Sequence, residues 1–459
     1  MGGRRQRPEV MDALLRWRLK ATVVLLLLAL VSSGIWAEEI PRVLTVQEAM
    51  RLAIERNPSV AAARSGLDAS EAALEAQRAR RLPTMTAGVS GRMQQALGRP
   101  VTVNGETITT GRGVTETSDM SVNLRHTFLE SGRTEAIAAA DARLDVTEAS
   151  FADVQRALAR NVAAAYYSVL ADQEFAEVAQ EAVRSAELTL ELVEARIEAG
   201  TAAEAERLPA EADLARARFD ALSAENRIWE SLAEFRALLA LPPDEQPLLR
   251  GELDEVEPVD QLQQWVDRGL ERRPDIEAQR HRIRVAELGL QQQRIQDGLT
   301  FSVQGQADYG RWTGVTGDTW MIAAGVSYPL FDRGSSARVA EAEASLETSR
   351  QNLAELEHSV TREITQAWYG LRDGGERVAS AEAALRAAET SLDAVRARYA
   401  EGVATIIEVT DAELVWRQAS ASLVQARYDR VVAFYRLLAA GGEELVEREI
   451  AETFEANEQ

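Results

Sequence analysis

Two stretches of this chain carry helical pattern for far longer than a compact domain can use. From about residue 132 to 199, and again from about 335 to 401, the sequence is rich in Ala, Glu, Arg and Leu and contains no proline. At 1.5 Å per residue, about 67 residues make a rod of roughly 100 Å. Helices in ordinary globular domains average about 11–12 residues. Apolar residues step by three and four along both stretches. Val183, Ala186, Leu190, Val193 and Ile197 make one seam; Leu385, Ala388, Leu392, Val395 and Tyr399 make the other. That spacing predicts coiled-coil rods. Gly370, Gly374 and Gly375 are expected to loosen the second rod locally.

The rods belong to a repeat. Val193–Glu211, "VEARIEAGTAAEAERLPAE", returns as Val395–Glu413, "VRARYAEGVATIIEVTDAE", with eight identities in nineteen positions at a constant offset of 202. In each copy a glycine, Gly200 or Gly402, ends the rod. Glycine supplies the left-handed residue that closes a helix and lets a short loop start the next one antiparallel. The return helices run to about 241 and 440. Pro209 stands where the second copy has Asp411, so the first return helix is expected to begin near it, with an extra turn of loop. Upstream, "AIERNPSV" (Ala53–Val60) echoes "GLERRPDI" (Gly269–Ile276), and "FLESG" (Phe128–Gly132) echoes "LFDRG" (Leu330–Gly334).

Before each rod lies a strand pair. Met120, Val122, Leu124, His126 and Phe128 alternate with polar residues, as do Met85, Ala87 and Val89 ahead of them. Trp320, Ile322, Ala324, Val326 and Tyr328 alternate with Thr319, Met321, Ala323, Gly325 and Ser327. In the strand ahead of them Phe301, Val303, Ala307 and Tyr309 alternate with Ser302, Gln304, Gln306 and Asp308. Two hairpins with one apolar and one polar face, about 9–11 residues per strand, suit a transmembrane β-barrel with lipid outside and water inside. Tyr309, Trp312, Trp320 and Tyr328 fall where an aromatic girdle would sit. The Gly- and Thr-rich segments "GRPVTVNGETITTGRGVTETS" and "GRWTGVTGD" are expected to be loops. Four strands cannot close a barrel, because the smallest membrane barrels use eight. An oligomer is therefore expected.

The first residues frame the location. Six basic residues precede an apolar run, Ala21–Val31, followed by "SSGIWAEE". This describes a secretory signal peptide cut near Ala37, since a membrane anchor would need about 20 apolar residues. An exported chain without cysteine has neither a disulfide nor a Cys-linked lipid anchor. The net charge of −22 argues against nucleic acid as a partner. The expected organisation is a signal peptide over 1–37 and a first repeat over 38–247, with its hairpin at about 84–129 and its helices at about 132–241. A second repeat covers 248–442, with its hairpin at about 299–330 and its helices at about 335–440. An acidic tail occupies 443–459.

The "LTVQEAMRLAIERNP" opening, the duplicated hairpin-and-rod order and "RYAEGVATIIEVTDAELVWRQA" together resemble the TolC-type outer-membrane efflux channel family over nearly the whole mature chain. The resemblance implies a mainly α fold with a transmembrane β part. It implies a homotrimer that makes a twelve-stranded β-barrel in outer-membrane lipid and a periplasmic α-helical tunnel. It also implies a passive duct docked to a periplasmic adaptor and to an inner-membrane efflux pump or ABC exporter. Glu408 and Asp411 are spaced i, i+3 at the start of the second return helix, so both project from one face. At these motif positions the family places the carboxylates of its periplasmic constriction. Glu206 and Tyr399 match positions that help hold the channel shut. Helix capping is the competing explanation for acidic residues in a first turn, worth about 0.3–1 kcal/mol each.

No catalytic constellation stands out. His126, His281 and His358 are isolated, and no phosphate-binding glycine loop occurs. Neither enzyme activity nor a cofactor is expected. A structural tether linking the envelope layers is the alternative to a channel, but a tether has no use for strands with a polar face.

Overall fold

A computed structural model of the chain describes residues 43–96, 99–103, 106–110, 113–243, 245, 247–251, 253, 256, 260–312 and 315–446. The segment expected to be a signal peptide, residues 1–37, and most of the acidic tail lie outside the described residues. The described chain forms two units. A small one includes the two-residue strand Val43–Leu44, and a large one spans Thr45–Glu245 and Leu249–Gln459.

The large unit repeats one order of elements. Helices α1 (Val46–Arg56) and α2 (Pro58–Ala79) come first. Thr45 and Glu48 make a capping box at the start of α1, each satisfying the other's backbone amide. Pro58 opens α2 at a position whose amide needs no partner. Strands β1 (Thr84–Ala96), β2 (Arg99–Val103), β3 (Glu106–Thr110) and β4 (Gly113–Glu130) follow, then the rod α3 (Arg133–Glu198) and its return helix α4 (Arg207–Leu238). The second copy runs α5 (Leu262–Arg272), α6 (Pro274–Ile295), β5 (Thr300–Trp312), β6 (Val315–Ser327), the rod α7 (Gly334–Ala400) and the return helix α8 (Ile406–Ala440). At 66 and 67 residues, the rods are each about 100 Å long.

Both predicted seams are buried or half-buried. Ala186, Val193, Ala388, Leu392 and Tyr399 are fully enclosed, and Val183, Leu190, Ile197, Leu385 and Val395 partly so. The glycines of the second rod do not loosen it; α7 is continuous through all three. A Cβ on Gly374 would meet Arg430 Cβ at 3.3 Å, and one on Gly370 would meet Ala433 Cβ at 3.9 Å. At this level α7 and α8 approach closely, which a side chain on Gly374 would oppose.

The two hairpins join into one antiparallel sheet of order β1-β4-β5-β6. Met85 stands opposite Leu124, Val122 opposite Ala307 and Ala307 opposite Trp320, so most apolar residues of the four strands share one face, with Met321 and Ala323 of β6 on the other. That face is bare: Val89 is 79% exposed, Trp320 74% and Ile322 71%. The other face is polar and laced. Ser90 donates to Asp119 at 2.6 Å, and Gln306 donates to Asp308 at 2.9 Å. Phe128 forms a bulge between Thr127 and Leu129, where its ring packs against His126 and Phe301. The Thr-rich segment read as a loop is a correction. It carries a second small hairpin, β2 with β3, because alternating Val, Thr and Ile favour extended backbone.

Candidate functional site

The two helical hairpins turn by the same device. Gly200 has φ +70 and Gly402 φ +79. In the first turn the Gly200 amide donates to Ile197 and the Thr201 amide to Arg196; in the second, Gly402 donates to Tyr399 and Val403 to Arg398. These are paired Schellman closures, which satisfy carbonyls the helix end leaves free. After Gly200 comes a 3-10 turn, Glu204–Glu206, and α4 then carries Pro209 within its first turn. After Gly402, Thr405 caps α8 directly.

Tyr399 and Glu206 meet between the two turns. The Tyr399 ring is completely buried among Val193, Ala210, Ala404, Ile406 and Val409. Its hydroxyl donates to Glu206 Oε2 at 2.9 Å, and Glu206 Oε1 accepts the Ala203 amide at 3.3 Å. The Arg196 guanidinium lies 4.4 Å over the same ring. Burial first, and the Glu206 carboxylate second, push the Tyr399 hydroxyl up to about 12. It therefore stays a donor at any physiological pH.

Glu408 and Asp411 stand apart from that contact, both exposed on the first turns of α8. Glu408 Oε2 accepts the Thr405 amide at 3.0 Å, while Thr405 Oγ1 accepts the Glu408 amide at 3.3 Å. This capping box shows that the helix-capping explanation applies to Glu408. It uses one carboxylate oxygen and keeps the charge at the surface.

One constellation was not singled out from the sequence. Deeper than Tyr399, Glu413 of α8 is buried and pairs with Arg396 of α7 at 2.8 Å, and Arg417 of α8 pairs with Asp213 of α4 at 2.6 Å. The signal was present. Ile406, Val409 and Glu413 step by three and four, which puts a carboxylate at a seam position.

The outer membrane efflux protein family model matches residues 49–241 and 265–443. The chain belongs to that family. Among relatives, it is 22% identical over 431 residues to the outer membrane protein TolC of Vibrio cholerae, covering 90% of this chain and 93% of TolC. It is 32% identical to the outer membrane efflux protein BepC of Brucella suis over 127 residues, a span of only 28% of each chain. Among solved structures, the outer membrane protein VceC of Vibrio cholerae superposes with a TM-score of 0.72 at 20% identity, over 87% of this chain and 96% of VceC.

Membership places the chain in the outer membrane, within a family of efflux and secretion channels. Among the described residues, no helix of this family member is long and apolar enough to cross a membrane. The bare apolar face of its sheet is the surface suited to lipid. Among the described residues, no cluster of His, Cys, Asp and Glu could hold a metal ion.

Proposed function

We propose that three copies form one export duct, with twelve strands closing a barrel and the helical hairpins extending it as a tunnel through the periplasm. The observation that supports this reading is the four-stranded sheet itself, apolar on one exposed face, polar on the other, with the outer edges of β1 and β6 unpaired among the described residues. Backbone groups left unpaired in hydrocarbon cost several kcal/mol each, so a lipid-facing sheet must close on further copies. A strand of 13 residues is about 43 Å long and, tilted by about 45°, covers about 30 Å.

At the far end the turns at Gly200 and Gly402 form the tip of the tunnel. Tyr399 and Glu206 hold the two hairpins of one chain together there, and Glu408 and Asp411 of each copy ring the opening with carboxylates. Such a ring favours cations and sets an electrostatic gate. A periplasmic adaptor and an inner-membrane efflux pump or ABC exporter deliver the cargo. The polar, hydrogen-bonded face of the sheet favours a water-filled duct over a mere tether.

The purified mature chain in a planar bilayer tests this reading. A cation-selective conductance from a trimeric species is expected. A monodisperse monomer that needs no detergent and gives no conductance overturns it.

A further inference from the structure

A buried polar layer crosses the two helical hairpins between two apolar clusters. On the tip side pack Val193, Ala210, Tyr399 and Val409; on the other side pack Ala186, Leu214 and Ala217. Four helices contribute to the layer between them. Glu413 of α8 is 1% exposed. Its Oε1 accepts from Thr189 Oγ1 of α3 at 2.5 Å and from Arg396 Nη2 of α7 at 2.8 Å. Arg396 also donates to the Ser185 carbonyl at 3.1 Å and to the Ser185 hydroxyl. The remaining oxygen, Glu413 Oε2, is buried without a hydrogen-bond partner. Asp213 of α4 faces it from the other hairpin, with its own oxygens held by Arg417.

We propose that Glu413 and Asp213 form a proton-binding site, in which the packed hairpins hold a proton on Glu413 Oε2 that is donated to the Asp213 carboxylate. A protonated Oε2 turns the orphaned buried acceptor of the layer into a donor facing an acceptor, while Arg396 Nε is the layer's other buried atom without a partner. Left unmade, such a bond leaves a desolvated polar atom with nothing to replace its lost water. The guanidiniums do not remove the need. Arg417 is committed to Asp213, and Arg396, whose side chain is 25% exposed, is shared with Ser185 and reaches only Oε1. Burial pushes the Glu413 carboxyl up, Asp213 pushes it further, and Thr189 and Arg396 offset only part of the rise.

The consequence is a second link between the hairpins, with its own pH response. The proton is bound more tightly in the packed state than in an opened one. The stabilisation is therefore fully present below the ordinary Glu value of 4.5 and is lost as pH rises through the raised value. Above it, two anionic carboxylates face each other across the α4–α8 interface and the hairpins loosen. Tyr399 keeps its proton throughout that range, so the contact nearer the tip does not share the response. The repeat supplies a control, because Glu211 sits at the position equivalent to Glu413 yet is exposed.

The site lies within one chain and is tested without a conductance measurement, so a failure here leaves the duct standing. The full chain in detergent is followed by infrared spectroscopy of protonated carboxyl groups, and by hydrogen exchange of residues 185–193 and 406–420, from mildly acidic to alkaline pH. The wild type is expected to show a buried carboxyl band that disappears as pH rises, with exchange quickening beyond the intrinsic rate over the same interval. Glu413→Gln should lack the band and its pH-linked quickening, and Glu211→Gln should keep both. Asp213→Asn, which removes the facing charge, should move the loss of the band to lower pH. A band that survives in Glu413→Gln, an unmoved midpoint in Asp213→Asn, or a wild type with neither the band nor the pH-linked exchange overturns the proposal.

Discussion

Tyr399, the last buried residue of α7, donates its hydroxyl to Glu206 in the 3-10 turn before α4, at 2.9 Å and with the ring completely enclosed. The two residues are 193 positions apart in sequence and join the tips of the two helical hairpins. A hydrogen bond to a charged acceptor contributes about 1.5–3 kcal/mol.

Tyr399→Phe keeps the ring under Arg196 and removes only that bond. A single-channel recording should show a higher open probability or conductance, with cation selectivity unchanged. In the wild type the contact should survive alkali until pH approaches the value of about 12 at which the hydroxyl ionises, because the stabilisation of a group with raised pKa is lost only as pH rises through it. Wild-type conductance in Tyr399→Phe would show that this bond does not hold the tunnel closed.

Glu408 serves a capping box, so Ala at this position confuses two effects. Glu408→Gln with Asp411→Asn separates them. Gln at the third helical position still caps the Thr405 amide, while both charges disappear. Helicity should be unchanged and cation selectivity should fall at 0.1 M salt. The difference from wild type should vanish near 1 M, as the Debye length drops from about 10 Å to about 3 Å. Full selectivity in the double variant at low salt would reduce Glu408 to a cap.

Arg273, 5% exposed between α5 and α6, pairs with Asp275 and with Glu363 of α7, each at 2.7 Å, and reaches the Ala440 carbonyl at 3.4 Å. Arg273→Met should destabilise the chain by about 3 kcal/mol, since it strands a half-buried carboxylate. Burial works to raise Asp275, but the Arg273 guanidinium and then Arg156 outweigh it and hold the carboxyl below its ordinary 3.8. Its contribution is therefore present above 3.8 and lost as pH falls through the lowered value. In the variant, acid unfolding followed by circular dichroism should begin at higher pH.

Ala240 closes α4 with φ +52, in the same Schellman geometry that Gly200 and Gly402 adopt elsewhere. A Cβ in that conformation costs about 1 kcal/mol. Ala240→Gly should raise the thermal midpoint, and an unchanged or lower midpoint would show that the turn carries no strain.

What the sequence determined by itself were the features with local causes. The three-and-four spacing of Val183 to Ile197 requires a rod, the alternation of Trp320 to Tyr328 requires a strand, and Gly200 and Gly402 require turns. Each follows from side-chain periodicity and the conformational freedom of one residue, which neighbours in the chain already define. The tertiary structure decided what depends on which helix lies beside which. Glu211 and Glu413 occupy the same place in the two repeats, yet one faces solvent and the other is buried. Packing of α8 between α7 and the α3–α4 hairpin buries Glu413 and brings Thr189, Arg396 and Asp213 around it, from positions up to 224 residues away. The same holds for Gly374, where a loosened helix was expected and close packing against Arg430 was found. Burial is a property of the assembled surfaces, and a repeat that copies the residue does not copy its surroundings.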